Sequence, residues 1–198
     1  LSLNTGVLNN LSGAALLSDG QLTLTADSWR NDGVALSDRD ATVQVKNTLT
    51  NSGKILSQQG VDLTAAATDN AGQVMAKVLA LHGDLVNSGL LQGDDSLALT
   101  GQTLTNSAGG QILTAGNTTL DAGTLDNRGE LQANTLDVTA GDWTNGGTTR
   151  ATDSLTVALS GKLNNSGTLR STQARPAEHT PEPQSRSALV CRPLLDQK

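Results

Sequence analysis

Aromatic side chains are almost missing from this chain: among 198 residues there is no Phe and no Tyr, and Trp29 and Trp143 are the two Trp. A globular core of this size normally uses more of them, so the interior must be filled by small aliphatic residues instead. Cysteine is reduced to Cys191, which excludes an intramolecular disulfide and leaves the redox compartment open. No apolar run exceeds a few residues, so no segment is long enough to cross a bilayer as a helix. No N-terminal signal peptide is visible. An excess of positive charge is also lacking. Thirteen basic residues stand against 19 acidic ones, for a formal net charge of −6. That balance removes the electrostatic footprint of a nucleic-acid or anionic-membrane binder, and the basic residues are not interleaved with aromatics. Proline is absent until Pro176.

What is present is a beat. Nine asparagines, Asn10, Asn31, Asn51, Asn70, Asn87, Asn106, Asn127, Asn145 and Asn165, recur at gaps of 21, 20, 19, 17, 19, 21, 18 and 20 residues. Each is followed shortly by a glycine: Gly13, Gly33, Gly53, Gly72, Gly89, Gly109, Gly129, Gly147 and Gly167. A unit this short cannot fold as a domain; it has to be one turn of something that stacks. Two residues before the asparagine stands a large apolar residue, Leu8, Trp29, Leu49, Leu85, Leu104, Leu125, Trp143 or Leu163, with Thr68 the exception. Further upstream lies an apolar pair spaced by two: Leu22/Leu24, Val43/Val45, Val61/Leu63, Leu79/Leu81, Leu97/Leu99, Leu136/Val138 and Leu155/Val157. In the copy ending at Asn127, Leu120 holds this place with Thr118 before it. Spacing by two puts both side chains on one face of a strand. A third apolar patch follows the glycine, as at Ile55-Leu56, Val74-Met75, Leu90-Leu91, Ile112-Leu113, Leu131 and Leu169.

Each repeat therefore reads as two or three short strands joined by polar turns. No i, i+3, i+4 pattern is sustained, so helix is disfavoured. Leucine-rich repeats share the short period but need a denser leucine signature and a return arm. The expectation is an all-β parallel β-helix (solenoid) of eight to nine coils, each of about 19–20 residues, stacked about 4.8 Å apart into a rod on the order of 40 Å long. The asparagines form the turn of each coil, where the left-handed conformation is open to them, and their amides stack as a hydrogen-bonded ladder. A ligand-binding comb is the rival reading of the same residues. The 17-residue gap before Asn87 marks an irregular or bent coil. Trp29 and Trp143 are expected as oversized members of the leucine column rather than as a carbohydrate platform.

Chemistry is hard to find. Asp19, Asp38, Asp40, Asp94, Asp95 and Asp153 fall seven to nine residues after their asparagines and are expected along one turn edge, as a solvated acidic strip or a weak divalent-cation site. Neither Asp94-Asp95 nor Asp38/Asp40 has a His or Arg partner in register, as paired-carboxylate hydrolysis would want. His82 is expected at the surface. No nucleophile elbow and no calcium-binding nonapeptide occur. No catalytic residue, metal ligand or cofactor is assigned.

The beat stops after Gly167. Residues 1–171 are expected to form the rod, and residues 172–198, with all four prolines, Cys191 and His179, a disordered tail. The alternatives for the tail are a cap on the last coil, through Ala188-Leu189-Val190 and Leu194-Leu195, or a shifted reading frame. Leu1 and Leu3 hold the offsets of Leu22 and Leu24, so a longer parent rod is expected on the N-terminal side.

The runs Leu49-Thr50-Asn51-Ser52-Gly53-Lys54-Ile55, Leu104-Thr105-Asn106-Ser107, Leu163-Asn164-Asn165-Ser166-Gly167-Thr168-Leu169 and Leu125-Asp126-Asn127-Arg128-Gly129-Glu130-Leu131-Gln132-Ala133 resemble the repeats of the filamentous haemagglutinin family. That family comprises two-partner secretion exoproteins, including adhesins and the stalks of contact-dependent growth inhibition toxins. The resemblance covers residues 1–171. It implies a right-handed rod, an outer-membrane transporter as partner of the parent protein, and display at a Gram-negative cell surface. The implied function is a stalk segment presenting an adhesive or toxin module. The alternatives are a binding module that contacts a host glycan or bacterial receptor through one rod face and, weakest, a polysaccharide-acting enzyme. The family's Asn-Pro-Asn secretion motif and Val-Glu-Asn-Asn toxin boundary do not occur in this sequence.

Overall fold

A computed structural model describes residues 1–172. The expectations for the tail, including Cys191 and His179, lie outside the described residues. Fifteen strands follow one another. The first coils contain β1 (Ser2–Asn10), β2 (Ala15–Ser18), β3 (Leu22–Asn31), β4 (Val34–Ser37), β5 (Ala41–Asn51), β6 (Lys54–Ser57) and β7 (Gly60–Asn70). Then come β8 (Gln73–Asn87), β9 (Leu90–Asn106), β10 (Gln111–Thr114), β11 (Asn117–Asn127) and β12 (Glu130–Asn145). β13 (Thr148–Leu159), β14 (Leu163–Asn165) and β15 (Thr168–Ser171) close the series. No helix occurs among the described residues, and the return arm of a leucine-rich repeat is absent with it.

Every strand pairs in parallel with its equivalent one coil away. β1 lies on β3 with Leu8 opposite Trp29 and Asn10 opposite Asn31. β3 lies on β5, β5 on β7, β7 on β8 and β8 on β9, each keeping asparagine opposite asparagine. The short strands after the turn stack likewise, β2 on β4 and β4 on β6. The result is a parallel β-solenoid of about nine turns. At the parallel-strand spacing of about 4.8 Å, the described rod is roughly 40 Å long.

Alternation sorts the side chains. Within β3, Leu22, Leu24, Ala26, Trp29 and Asn31 are buried while Thr25, Asp27 and Arg30 face water. The same inward places recur in each coil and build one continuous apolar column under three faces. No aromatic ring is needed, because a coil this narrow closes around two layers of Leu, Val, Ile and Ala. Trp29 and Trp143 sit fully buried in the leucine column, as expected. Their indole N–H groups find no acceptor. Thr68 occupies the same column between Leu49 and Leu85, and its buried hydroxyl is also unpartnered.

The structure corrects one detail of register. Ala41 and Val43, not Val43 and Val45, are the equivalents of Leu22 and Leu24, and Val45 aligns with Ala26 and Ala65. The substitution of Ala for Leu at position 41 hides the true pair from a hydropathy pattern. The variable period also has a simple source. The inward positions recur identically in every coil; what changes is the number of residues in the corners between them. The 17-residue coil before Asn87 turns its first corner on Lys77-Val78 and its second on Asp84 alone, where other coils use two or three residues at that second corner. The tight corner is made possible by Gly83, with a φ of 121°, whose missing Cβ would collide with the Ala65 carbonyl.

Candidate functional site

The asparagines end the strand that carries the leucine column, and their side chains point into the coil at the turn. Eight of them, Asn10 to Asn145, are at most 4% exposed; Asn165, in the last described coil, is exposed. Each amide donates from Nδ2 to Oδ1 of the next: Asn10 to Asn31, Asn31 to Asn51 and Asn51 to Asn70 at 2.7 Å. The series continues through Asn87, Asn106, Asn127, Asn145 and Asn165 at 2.8–2.9 Å. The second amide proton goes to a main-chain carbonyl of that next coil, for example from Asn31 to Lys54 at 3.1 Å, Asn106 to Glu130 at 3.0 Å and Asn145 to Thr168 at 3.0 Å. Both protons and the oxygen are thereby used inside a dry turn, where an unpaired amide group would cost about 1–3 kcal/mol. The main chain of the same residue is equally committed. The Asn31 carbonyl accepts from both Ser52 and Gly53 amides at 2.9 Å, and this double acceptance repeats at Asn10, Asn51, Asn70, Asn106, Asn127 and Asn145, while the Asn87 carbonyl accepts from Ser107 at 2.8 Å.

Two expectations about the turn need correction. No asparagine adopts a left-handed conformation; among the described residues positive φ is confined to Gly13, Gly83 and Gly109. The asparagines remain extended enough to belong to their strands, and the bend falls on the residues that follow. Second, the glycines do not share one reason for being glycine. Gly33, Gly53, Gly72, Gly89, Gly129, Gly147 and Gly167 form a seam in which a Cβ would strike a main-chain carbonyl of the coil below, so close approach excludes any side chain. Gly13 and Gly109 lie outside that seam. Each is the third residue of a longer turn closed by a 2.9 Å bond, Leu11 carbonyl to Ala14 amide and Ser107 carbonyl to Gly110 amide. Their φ values of 82° and 86° are those of a type II turn. In those two coils Ala14 and Gly110 take the seam position, since the Val34 amide bonds to Ala14 and the Glu130 amide to Gly110.

Further glycines at the corner before the leucine column escaped the sequence reading, and they fall in two neighbouring registers. Gly101 presses on the Gly83 carbonyl at the place held by Ala122 in a later coil, and one position further Gly141 presses on the Gly123 carbonyl, with Gly161 next to Gly141 and Asp142. Their offset of four or five residues before the asparagine was the signal that could have exposed them.

The acidic residues do not converge. Asp38 and Asp94 accept from Gln58 and Gln92 side chains at 3.1 and 2.8 Å, while Asp40 caps the Gly60 amide at 3.0 Å. Between the Asp38/Asp40 corner and Asp94-Asp95 lie the corners of Gln58-Gln59 and Lys77. Elsewhere Asp84 accepts from the Gln102 and Thr103 amides and Asp142 from the Lys162 amide, so carboxylates serve main-chain donors freed at corners. Among the described residues no three His, Cys, Asp or Glu side chains gather as a metal-binding group. His82 is exposed and lies 3.8 Å from Asp62. Asp32, beside the turn, is held below the ordinary carboxylate range by the Ser52 hydroxyl and by Arg30, whose Nε is 2.7 Å away.

One outer face stands apart. Leu17, Leu36, Leu56 and Met75 stack in register on the outward side of the strands after the turn, and the column continues as Gln92, Leu113, Gln132 and Arg150.

Comparison with known proteins fits this architecture. The haemagglutinin repeat model matches residues 1–82, 76–142 and 132–174. The chain is 44% identical over 150 residues to the deoxyribonuclease CdiA of Dickeya dadantii (strain 3937), covering 73% of this chain and 4% of that protein. It is 35% identical over 192 residues to the 16S rRNA endonuclease CdiA of Enterobacter cloacae subsp. cloacae, covering 86% and 6%. It is 40% identical over 164 residues to the toxin CdiA of Escherichia coli, covering 82% and 5%. The chain thus spans between 4% and 6% of the length of these relatives. No solved structure matches it.

Proposed function

Because the chain belongs to the haemagglutinin repeat family, we propose that it serves as a structural stalk segment of a large secreted or surface-displayed exoprotein of a Gram-negative bacterium, holding an adhesive or toxin module away from the membrane. The observation that carries this reading is the unbroken amide ladder from Asn10 to Asn165, which ties every coil to the next at the same point and makes a stiff spacer. The nuclease and toxin names belong to relatives many times longer than this chain. This segment is read as non-catalytic: Asp40, Asp84 and Asp142 are engaged with main-chain amides of neighbouring coils rather than facing one another across a cleft. The proposed partner of the parent protein is its outer-membrane transporter, and neither nucleic-acid binding nor membrane insertion is assigned to the segment.

Exchange of the segment for an unrelated rod of equal length in the parent protein tests the proposal. Retained adhesion or target-cell inhibition is the expected result; loss of activity with export intact would overturn the spacer role. A second reading, a binding face for a host glycan or bacterial receptor, has the outward column of Leu17, Leu36, Leu56 and Met75 in its favour. It requires the isolated chain to bind cells or glycan arrays, and that binding to fall when Leu36 and Leu56 are replaced by Ser.

A further inference from the structure

The residue that follows the ladder asparagine differs from coil to coil: Leu11, Asp32, Ser52, Ala71, Ser88, Ser107, Arg128, Gly146 and Ser166. Asn145-Gly146 is the sole Asn-Gly step in the chain. It is also the step at which glycine has no structural duty. Gly146 does not have positive φ, and a Cβ there would meet nothing closer than the Ser166 hydroxyl at 3.7 Å, an ordinary contact. Serine fills the same place after Asn51, Asn87, Asn106 and Asn165.

Chemically that glycine matters. The main-chain nitrogen after an asparagine can attack the side-chain Cγ, and a following residue without a side chain leaves that approach least hindered. A bond forms between the Gly146 nitrogen and Cγ of Asn145, the Cγ–Nδ2 bond breaks, and ammonia leaves with the proton given up by the attacking nitrogen. Water then opens the cyclic imide at either carbonyl, giving aspartate or the isoaspartyl linkage. The net change is one water consumed and one ammonia released, with no oxidant or reductant.

The folded coil blocks this route at both atoms. The Gly146 amide donates to the Asn127 carbonyl at 2.8 Å, so its nitrogen is neither free nor aimed at Cγ. The Asn145 side chain is fully buried and held by four bonds. Its Oδ1 accepts from Asn127 Nδ2 at 2.9 Å and from the Thr149 hydroxyl at 3.0 Å, and its Nδ2 donates to Asn165 Oδ1 at 2.8 Å and the Thr168 carbonyl at 3.0 Å. We infer that Asn145 is a site of spontaneous deamidation that is open in the unfolded chain and closed by the ladder, so that time spent unfolded is recorded as damage to this rung. The product cannot rebuild it. A carboxylate has no donor to offer Asn165 Oδ1 and the Thr168 carbonyl, and it would be buried without a counter-charge. The isoaspartyl form adds a carbon to the main chain and displaces the following turn from its register.

The test uses the full chain, incubated at mildly alkaline pH either native or in urea, with site-resolved mass spectrometry of all nine rungs. The expected result is conversion at Asn145 ahead of every other rung in urea, and about 100-fold slower conversion in the native chain, because reaction follows the open population. The Gly146→Ser variant should lose the preference for Asn145 in urea while keeping the wild-type unfolding midpoint. Equal rates in native and denatured chain, or another rung reacting as fast as Asn145 in urea, would overturn the inference. Asn145→Asp reads the consequence separately: a lowered midpoint or failure to fold is expected, and an unchanged midpoint would remove the claim that the product damages the rung.

Discussion

The turn edge and the first corner of each coil are made from similar residue types, yet they behave differently. At the turn edge, Asn31, Ser52 and Gly53 are locked to one another through side-chain and main-chain bonds that repeat along the rod. At the first corner, Asp38, Gln58, Lys77 and Asp94 succeed one another with side-chain bonds that are few and exposed. Coil length varies at the first corner without consequence for stacking. It varies at the turn only as a two-residue insertion, at Gly13 and Gly109, that leaves the asparagine and the seam position untouched. Polar residues set inter-coil register where they are dry and mutually satisfied. Where water competes for them they decorate.

The sharpest way to break this contrast is a methyl group. Gly72→Ala on the seam would drive a Cβ into the Gly53 carbonyl, whereas Gly20→Ala at the first corner meets nothing within 4 Å. The first is expected to lower stability by about 3 kcal/mol and the second to stay within about 0.5 kcal/mol, read as urea midpoints. Next in size is the ladder itself. Asn106→Ala strips Asn87 of its acceptor, leaves Asn127 Oδ1 without a donor and removes the side-chain donor from the Glu130 carbonyl. A loss of about 2–3 kcal/mol should follow, against less than about 0.5 kcal/mol for Gln58→Ala at the corner. Equal effects from the two would mean that the ladder is ornament. Thr68→Val works in the opposite direction. It keeps the shape and removes a buried hydroxyl with no partner, so a gain of about 1 kcal/mol in the same assay is expected.

The smallest effect concerns pH. The Ser52 hydroxyl, and Arg30 after it, depress the Asp32 carboxyl below its ordinary 3.8 in the folded chain. A group depressed on folding stabilises above its unfolded value and loses that contribution as pH falls through the folded one. Wild type should therefore lose slightly more stability than Asp32→Asn on acidification below about pH 3.8, and melting curves that fall in parallel would discount the contact.

Much of this molecule is legible in its spacing. The asparagine period and the Leu-x-Asn step announce strands that stack, since apolar residues two apart occupy one face wherever the backbone is extended. The seam glycines were visible as a recurrence, but their cause was not. The sequence suggests conformational freedom; contact with the coil below is what excludes a side chain at Gly53 or Gly72. Gly110 was missed because Gly109 stands beside it and a one-residue choice cannot be made without knowing which amide reaches the neighbouring coil. The glycines of the second corner, from Gly83 to Gly161, were passed over because they fall in two neighbouring registers, where other coils carry Ala26 or Ala65 at one and Asp27 or Gln102 at the other. The aspartates that share an offset from the asparagine do line the first corner, exposed to water, but Gln58 and Lys77 fill intervening corners and keep the carboxylates from converging.

By itself the sequence determined the class of fold and the place of the ladder, because a period of about 19 residues with inward Leu and Asn leaves a stacked coil as the economical way to bury both. The tertiary structure decided which residues carry each rung's bonds, which glycines are steric rather than conformational, and where the coil absorbs its missing residues. Those depend on the distance and direction between coils, a quantity that exists once one coil lies on another.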